Sequence, residues 1–477
     1  MLTVAYWMGD SAVMTDRKNA LQSLLPLAVL LLFALVASAP YLSGRFPLTA
    51  DGVLHYYRAA ALDYGLSYEA LWPRYTTALV FGYGSPVFNY YAPAAAYPQV
   101  AFYRLGLPFS VAYNWGFVFY SFIAALGMYL WAKTWSNTTG GLIAAAGYVF
   151  APYLLYDALW RGTISEYGAL ALLPWLMWAF HHLILYGQRR YLLLAPLLYV
   201  AFAPMHNITT LYGTGVLGLY GLLLIVFTPQ RRAALIRAAL GLGLGLALSA
   251  FFWWPALAET GFVRINEITA ELPFIDVVGN LQPLAQSLQL PRTADPSQLQ
   301  FPVPITLSWL QIGLALLAAW FALRARDRRL QALVIGGLLL VAAMLFMTTE
   351  ASAFVWRAVS LLRYSQFPWR WLGPASLILA LLSGIAMAQL LERLAAPRWR
   401  YGLVMAVTAG MIFYALPWTY VVMVDAPPMR DVTDIYAFEA ESGQVAVASY
   451  GEYQPLWNAE LPDPQAIRAR YDGAPDV

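Results

Sequence analysis

Eleven long apolar stretches run through this chain, and none of them contains Asp, Glu, Lys or Arg: 21–40, 109–132, 140–156, 167–186, 191–206, 208–228, 238–258, 304–323, 330–348, 371–391 and 401–422. Runs of about 17–25 apolar residues match the ~30 Å thickness of a bilayer's hydrocarbon core. Only 11% of the 477 residues are charged, whereas soluble domains average about 25%. A large soluble core does not account for so few charges, so the pattern predicts a polytopic, all-α membrane protein. The absence of cysteine removes disulfides, thiol nucleophiles and Cys-ligated metal sites. A net charge of +3 without a basic run gives no sign of a nucleic-acid partner.

Charge between the stretches sets the expected orientation. Arg17/Lys18, Lys133, Arg189/Arg190, Arg231/Arg232/Arg237, the Arg324–Arg329 cluster and Arg393/Arg398/Arg400 fall at alternate ends of the spans. Short loops rich in Lys and Arg stay cytoplasmic. The N-terminus is therefore expected in the cytoplasm and the tail outside it. Arg17 and Lys18 ahead of 21–40, with Ala37-Ser38-Ala39 at its end, resemble a secretory signal. The length of the run favours an uncleaved first helix. Residues 90–106 are nearly apolar enough for another span, but Pro93, Pro98, Gln99 and Arg104 suit a helix lying at the surface.

The expected organisation is a membrane domain over 1–422, with a first outer loop at 41–108 and a second at 259–303. An extracytoplasmic tail follows at 423–477. Its weak alternation over 444–450 (Gln-Val-Ala-Val-Ala-Ser-Tyr) reads as a strand, expected to begin a β-containing domain that the chain cuts short.

Chemistry-bearing residues gather at the outer boundaries. A helix over 52–64, ending at Gly65, places Asp51, His55 and Arg58 at i, i+4 and i+7 on one face. Asp51 either caps that helix or works as a free carboxylate. Glu166, in Trp160-Arg161-Gly162-Thr163-Ile164-Ser165-Glu166, is either a first-turn residue favoured by the helix dipole or a second active-site carboxylate. His206-Asn207 is a satisfied helix end or a ligand contact. His181 and His182, near the cytoplasmic end of their span, read as structural. Arg363 and Arg370, in a Trp-rich junction, either snorkel at the interface or grip a phosphate. The loop from Phe81 to Tyr91, with Tyr83 and Tyr90, is an aromatic belt or a platform on which a sugar ring or lipid headgroup stacks.

Asp51-Gly-x-x-His55-x-x-Arg58, Gly82-Tyr-Gly-x-Pro86 with Tyr90-Tyr91, Arg161-Gly162-x-x-x-Glu166, His206-Asn207, Phe367-Pro368-Trp369-Arg370 and Gly451-Glu452-Tyr453 occur in an order that resembles the bacterial membrane proteins called 6-pyruvoyl-tetrahydropterin synthase-related. A pterin synthase is a small soluble zinc enzyme, and no three-histidine site of that kind is visible here. The family resembles the GT-C superfamily of integral-membrane glycosyltransferases. Beside the about eleven transmembrane helices read from the apolar stretches, that likeness implies a cytoplasmic N-terminus and a large first outer loop carrying two juxtamembrane helices, 52–64 and 90–106, with an acidic residue near its start. Many GT-C enzymes carry two adjacent acidic residues there, but Gly52 follows Asp51.

The function so implied is transfer of a sugar from a polyprenyl-phosphate-linked donor to a glycan, lipid or protein acceptor, at the extracytoplasmic face of the bilayer. Asp51 would be the base and Glu166 the supporting carboxylate. Arg58, Arg161, Arg363, Arg370, His206, Asn207, Tyr83 and Tyr90 would bind substrate or phosphate. Asp51, His55 and Glu166 could hold Mg or Mn. The rival readings are a transporter or flippase of lipid-linked glycans and a non-catalytic protein of envelope assembly.

Overall fold

The computed structural model describes residues 24–68, 70–266, 277–293 and 305–458. Each of the eleven apolar stretches coincides with a helix. Six helices are long and apolar enough to cross a bilayer: Phe109–Trp135, Ile164–Tyr186, Asn207–Val226, Arg328–Met347, Pro368–Glu392 and Pro397–Thr419. Two further crossings are possible if each of two bent pairs is a single span: Thr138–Val149 with Pro152–Arg161, bent by 43°, and Arg231–Leu248 with Ala250–Ala258, bent by 64°. Of the remaining three, Arg189–Phe202 and Trp309–Arg324 reach about 21–24 Å at 1.5 Å per residue, and Leu24–Ala37 covers about 21 Å within the described residues. The structure thus matches the expected helix positions. Length and composition support six to eight full crossings among the described residues, rather than eleven.

Both bends have local causes. Proline disfavours the α conformation in the residue before it, and Ala151, ahead of Pro152, is extended at φ −65°, ψ 134°. The helix therefore stops at Val149 and restarts as a short turn. At the second bend the Ser249 hydroxyl donates back to the Gly245 carbonyl (2.8 Å), a bond that bends helices. The centre of the bundle is the helix Leu372–Glu392, most of whose side chains are buried. It crosses Thr138–Val149 where Gly140 and Gly384 meet. A Cβ on Gly384 would lie 2.4 Å from the Gly140 carbonyl, so only glycine lets these backbones touch.

The motif-bearing loops pack together at one end of the bundle. Helix Gly52–Tyr68 runs about one turn beyond the expected stop at Gly65. The second expected surface helix is Tyr97–Arg104, entered through a 3-10 turn at Ala94–Ala96. Arg104 Nε donates to Asp63 Oδ1 at 2.7 Å, which ties the two helices together. Phe46–Pro47 pairs antiparallel with Met423–Val424, Phe46 opposite Val424, so the start of the first loop is stitched to the end of the last span.

The tail departs from expectation. Residues 444–450 form no strand. A helix, Val432–Ser442, is capped by Asp431, whose side chain accepts from Thr433 N, and ended by Gly443 in the left-handed region. A 3-10 turn at Val445–Val447 follows. Ala446 and Val447 have φ of 61° and 46°, a conformation no strand contains, and the alternation there was too short to impose one. The tail packs on the first loop. Tyr57 stacks on Phe438, and the Tyr56 and Tyr57 hydroxyls donate to the Pro427 and Pro428 carbonyls (3.1 Å each).

Candidate active site

The site is built around one arginine. After Pro152 the chain winds through a wide π-type turn, Asp157–Arg161, that ends at Gly162 with φ 68°. Such turns are concentrated at functional sites. Gly162 is required twice over: its φ suits glycine alone, and a Cβ would lie 2.3 Å from Thr49 Oγ1 and 3.0 Å from the Gly52 backbone. The first loop is therefore pressed against this turn. Ala50 N donates to the Trp160 carbonyl (2.9 Å), and Asp51 N to the Arg161 carbonyl (2.7 Å).

These backbone bonds bring three carboxylates to Arg161. Its Nη1 donates to Asp157 Oδ1 at 2.8 Å and to Glu166 Oε2 at 2.7 Å. Its Nη2 lies 3.5 Å from Asp51 Oδ2. Arg370 Nε is 3.1 Å from the same Glu166 oxygen, while its Nη1 donates to Ser365 O and Gln366 Oε1. Tyr153 donates to Glu166 Oε1 at 2.5 Å. Every oxygen of Glu166 is thus taken. Buried charges persist when paired and hydrogen-bonded in this way.

Exposure separates the three acids. The side chains of Asp157 and Glu166 are fully buried, whereas that of Asp51 is 38% exposed. Asp51 is not a helix cap among the described contacts. Its carboxylate accepts from Thr163 Oγ1 at 3.3 Å and receives no helix amide. It is the one acid of the cluster that a solvent-borne group can reach.

A second layer comes from the next turns of Gly52–Tyr68. His55 Nε2 lies 3.4 Å from Tyr91 Oη, which shares a 2.7 Å hydrogen bond with Ser165. Burial, and then the charge of Arg58, push the imidazole well below its ordinary pKa, so His55 is neutral. The Arg58 guanidinium sits 4.0 Å over the Tyr91 ring, and its Nε donates to Val447 O in the tail (3.0 Å). Arg58 is therefore held by protein rather than presented free. These groups line a small cavity with Phe88 and Ile164.

His206 caps Asn207–Val226 with its side chain. Asn207 Nδ2 donates to Tyr90 O at 2.7 Å. Tyr90 stacks on Tyr453 and donates to the Glu259 carbonyl. Tyr90 and Asn207 thus serve as framework near the site. Tyr83 is not brought in: its side chain is 65% exposed, and its carbonyl accepts from Tyr75. The side chain of Arg363 lies outside the described residues. His181 is buried against Tyr220, away from this cluster, as expected for a structural residue.

The three-ligand metal set does not assemble. Among the described residues no group of three His, Asp or Glu side chains is placed to hold a metal. Asp51 and Glu166 meet the Arg161 guanidinium from different sides, and His55 is turned to Tyr91. A divalent cation between the carboxylates would have to displace a fixed positive charge.

Sequence reasoning missed Asp157 and Tyr153. Asp157 falls just past the apolar stretch 140–156, and its only signal was the i, i+4 spacing to Arg161. Tyr153 lies inside that stretch, where an aromatic residue is expected anyway.

The fold is that of a helical membrane bundle whose loops gather at one end. Its overall shape is similar to the cryo-EM structure of the arabinofuranosyltransferase AftD from Mycobacteria, with a TM-score of 0.55 and 17% identity over 88% of this chain and 28% of that one. A variant of the same enzyme gives 0.51 and 16% over 88% and 29%. The oligosaccharyltransferase of Archaeoglobus fulgidus gives 0.47 and 13% over 94% and 59%. The chain thus spans less than a third of AftD's length. No curated protein matches the sequence. Residues 88–425 match the membrane-protein family described as the 6-pyruvoyl-tetrahydropterin synthase related domain, and the chain belongs to that family.

Proposed function

We propose that this protein is a glycosyltransferase that moves a sugar from a polyprenyl-phosphate donor to an acceptor hydroxyl at the extracytoplasmic face. The observation that carries this reading is the position of Asp51. It is the accessible carboxylate of an otherwise buried cluster, and its orientation is fixed through the Arg161 carbonyl and Thr163.

In the reaction the Asp51 carboxylate takes the proton of the acceptor hydroxyl. The acceptor oxygen bonds to the anomeric carbon. The bond from that carbon to the phosphate oxygen breaks, and its electron pair leaves with polyprenyl phosphate. Arg370 and Arg161 supply positive field where the phosphate charge develops. Their bonds to Glu166 and Asp157 fix them in advance, so those acids act as positioning residues. A divalent cation would bind Asp51 from its exposed side, without Glu166.

The face follows from charge. The arginine-rich connections belong in the cytoplasm, and a lipid-linked donor can reach the opposite surface, where nucleotide sugars are absent. The GT-C fold shared with AftD supports glycosyl transfer as the chemistry. The test uses right-side-out and inverted vesicles of cells producing the protein, with farnesyl-phosphate-linked pentoses or hexoses and a membrane-impermeant glycan acceptor outside. Right-side-out vesicles should release farnesyl phosphate and extend the acceptor, while inverted ones should not. Donor movement across the bilayer with no glycosidic bond broken would replace this reading with a carrier.

A further inference from the structure

His206 is more constrained than a helix cap needs to be. It begins Asn207–Val226 with φ −159°, ψ 117°, and its side chain accepts from the backbone N–H of Thr209 at Nδ1 (3.4 Å). A peptide N–H only donates, so this contact calls for a lone pair on Nδ1. It disfavours the imidazolium and the Nδ1–H tautomer, because in both of them Nδ1 is a donor. The Thr209 hydroxyl lies 2.7 Å from the same nitrogen and therefore donates to it. Thr209 Oγ1 is in turn 2.9 Å from Tyr212 Oη. Since Thr209 has already given its only hydroxyl proton, Tyr212 is the donor there. The chain of hydrogen bonds runs in one direction, from Tyr212 through Thr209 to His206 Nδ1, and leaves the proton on Nε2. Bonds aligned this way polarise one another.

The Nε2–H end has no hydrogen-bond partner within the described chain. It is not among the sealed polar atoms without partners either, although the residue as a whole is only 7% exposed. Tyr212, at the head of this chain of hydrogen bonds, packs against Trp371, the residue after Arg370 (ring centroids 6.2 Å), which brings His206 into the electrostatic range of Glu166, Arg370 and Arg161. Two nearby guanidiniums draw an anion to this spot. Arg161 spends Nη1 on Asp157 and Glu166, and Arg370 spends Nη1 on Ser365 and Gln366, while its Nε lies 3.1 Å from Glu166 without a hydrogen bond. A phosphate has oxygens to spare for a further donor beside them.

We propose that His206 is a fixed, neutral Nε2–H donor to a phosphate oxygen bound beside Arg161 and Arg370, neither a base nor a metal ligand. This rests on the reading of the site as one for a phosphate-linked donor, but not on whether sugar transfer follows.

The chain has four histidines, so nitrogen-15 NMR of histidine-labelled protein in nanodiscs is tractable. His206→Asn identifies the signal. The expected result is an unprotonated Nδ1 and a protonated Nε2 from pH 6 to 8. Farnesyl phosphate should shift the Nε2 resonance, and inorganic phosphate should do so at higher concentration; the reverse order would assign the site to free phosphate. Asn is a strong N-cap that cannot deliver this N–H. In His206→Asn, farnesyl phosphate should bind on the order of tenfold more weakly, the worth of one hydrogen bond to a charged group. A role confined to capping predicts unchanged binding in that variant. Protonated Nδ1, an Nε2 resonance unmoved by either phosphate, or unchanged binding in His206→Asn would overturn the proposal. A carrier would still show the tautomer and the phosphate contact, while a wrong tautomer would leave the transferase reading standing.

Discussion

Glu166 and Glu439 are both fully buried carboxylates at the same end of the molecule, and the chain accommodates them in different ways. Glu166 is met by two guanidiniums and a tyrosine hydroxyl. Glu439 meets no cation among the described residues. It accepts the backbone N–H groups of Val80 and Phe81 in the first loop and of Ala446 in the tail, at 3.0, 3.2 and 2.6 Å. All three of those residues have φ near +55 to +61°, a conformation that costs non-glycine residues on the order of 1–3 kcal/mol each. The carboxylate fastens two strained turns to each other. Without a counter-charge, burial outweighs the three N–H bonds and raises the Glu439 carboxyl to about 7. One acid belongs to a fixed electrostatic centre, and the other is a clasp whose charge depends on pH.

The largest difference should appear when each acid is neutralised. Glu166→Gln removes the carboxylate partner of Arg370 and one of Arg161's. It strands buried positive charge, at a cost of about 3–5 kcal/mol. Thermal unfolding in detergent or nanodiscs should show a large loss for Glu166→Gln. Glu439→Gln, which keeps an acceptor oxygen and loses a poorly solvated charge, should be within about 1 kcal/mol of wild type. Equal losses would mean that the two acids do not differ as described.

The smaller effect is on pH dependence, and its sign follows from the direction of the shift. The folded-state carboxyl of Glu439 titrates near 7, above its ordinary value of 4.5. The folded state therefore binds the extra proton between these values. Its contribution to docking is full below about pH 4.5, declines as pH rises, and is lost above about 7. Hydrogen exchange of the helix Val432–Ser442 and the turn Val445–Val447 should quicken from pH 5 to pH 8, after correction for intrinsic exchange. Glu439→Gln should flatten the trend. A tail whose protection grows with pH would contradict the assignment. Because Val447 O holds Arg58, the same change should loosen Arg58.

The contrast also marks what the sequence could reveal. Periodicity and charge-free runs made the helices legible, because burial in lipid leaves its imprint on every residue of a span. The face carrying His55 and Arg58 followed from helical spacing, and both do converge on Tyr91. Arg161 and Glu166 were visible as a local motif. The approach of Asp51 to Arg161 was not, since it depends on the close approach of Gly162 to Thr49 and Gly52, which no local pattern encodes. The expected strand at 444–450 failed for a related reason. Glu439, in the helix just before it, turns back and holds Ala446 N in a turn, a side-chain bond that overrides weak alternation. Spacing also says nothing of the arginine that stands between Asp51 and Glu166. Tyr83 was grouped with Tyr90 by composition alone, and the loop turns it outward.

In the proposed division of labour Asp51 is the working carboxylate of a cluster whose other acids only hold arginines in place. Its most direct test is Asp51→Asn in reconstituted liposomes, with farnesyl-phosphate-linked sugar and acceptor supplied, following release of farnesyl phosphate and measuring donor binding in parallel. The amide preserves the shape of the side chain, so fold and donor affinity should stay near wild type. Release should fall by about 10²–10⁴-fold, the usual contribution of a general base. Release at the wild-type rate from Asp51→Asn protein that still binds donor would contradict the account.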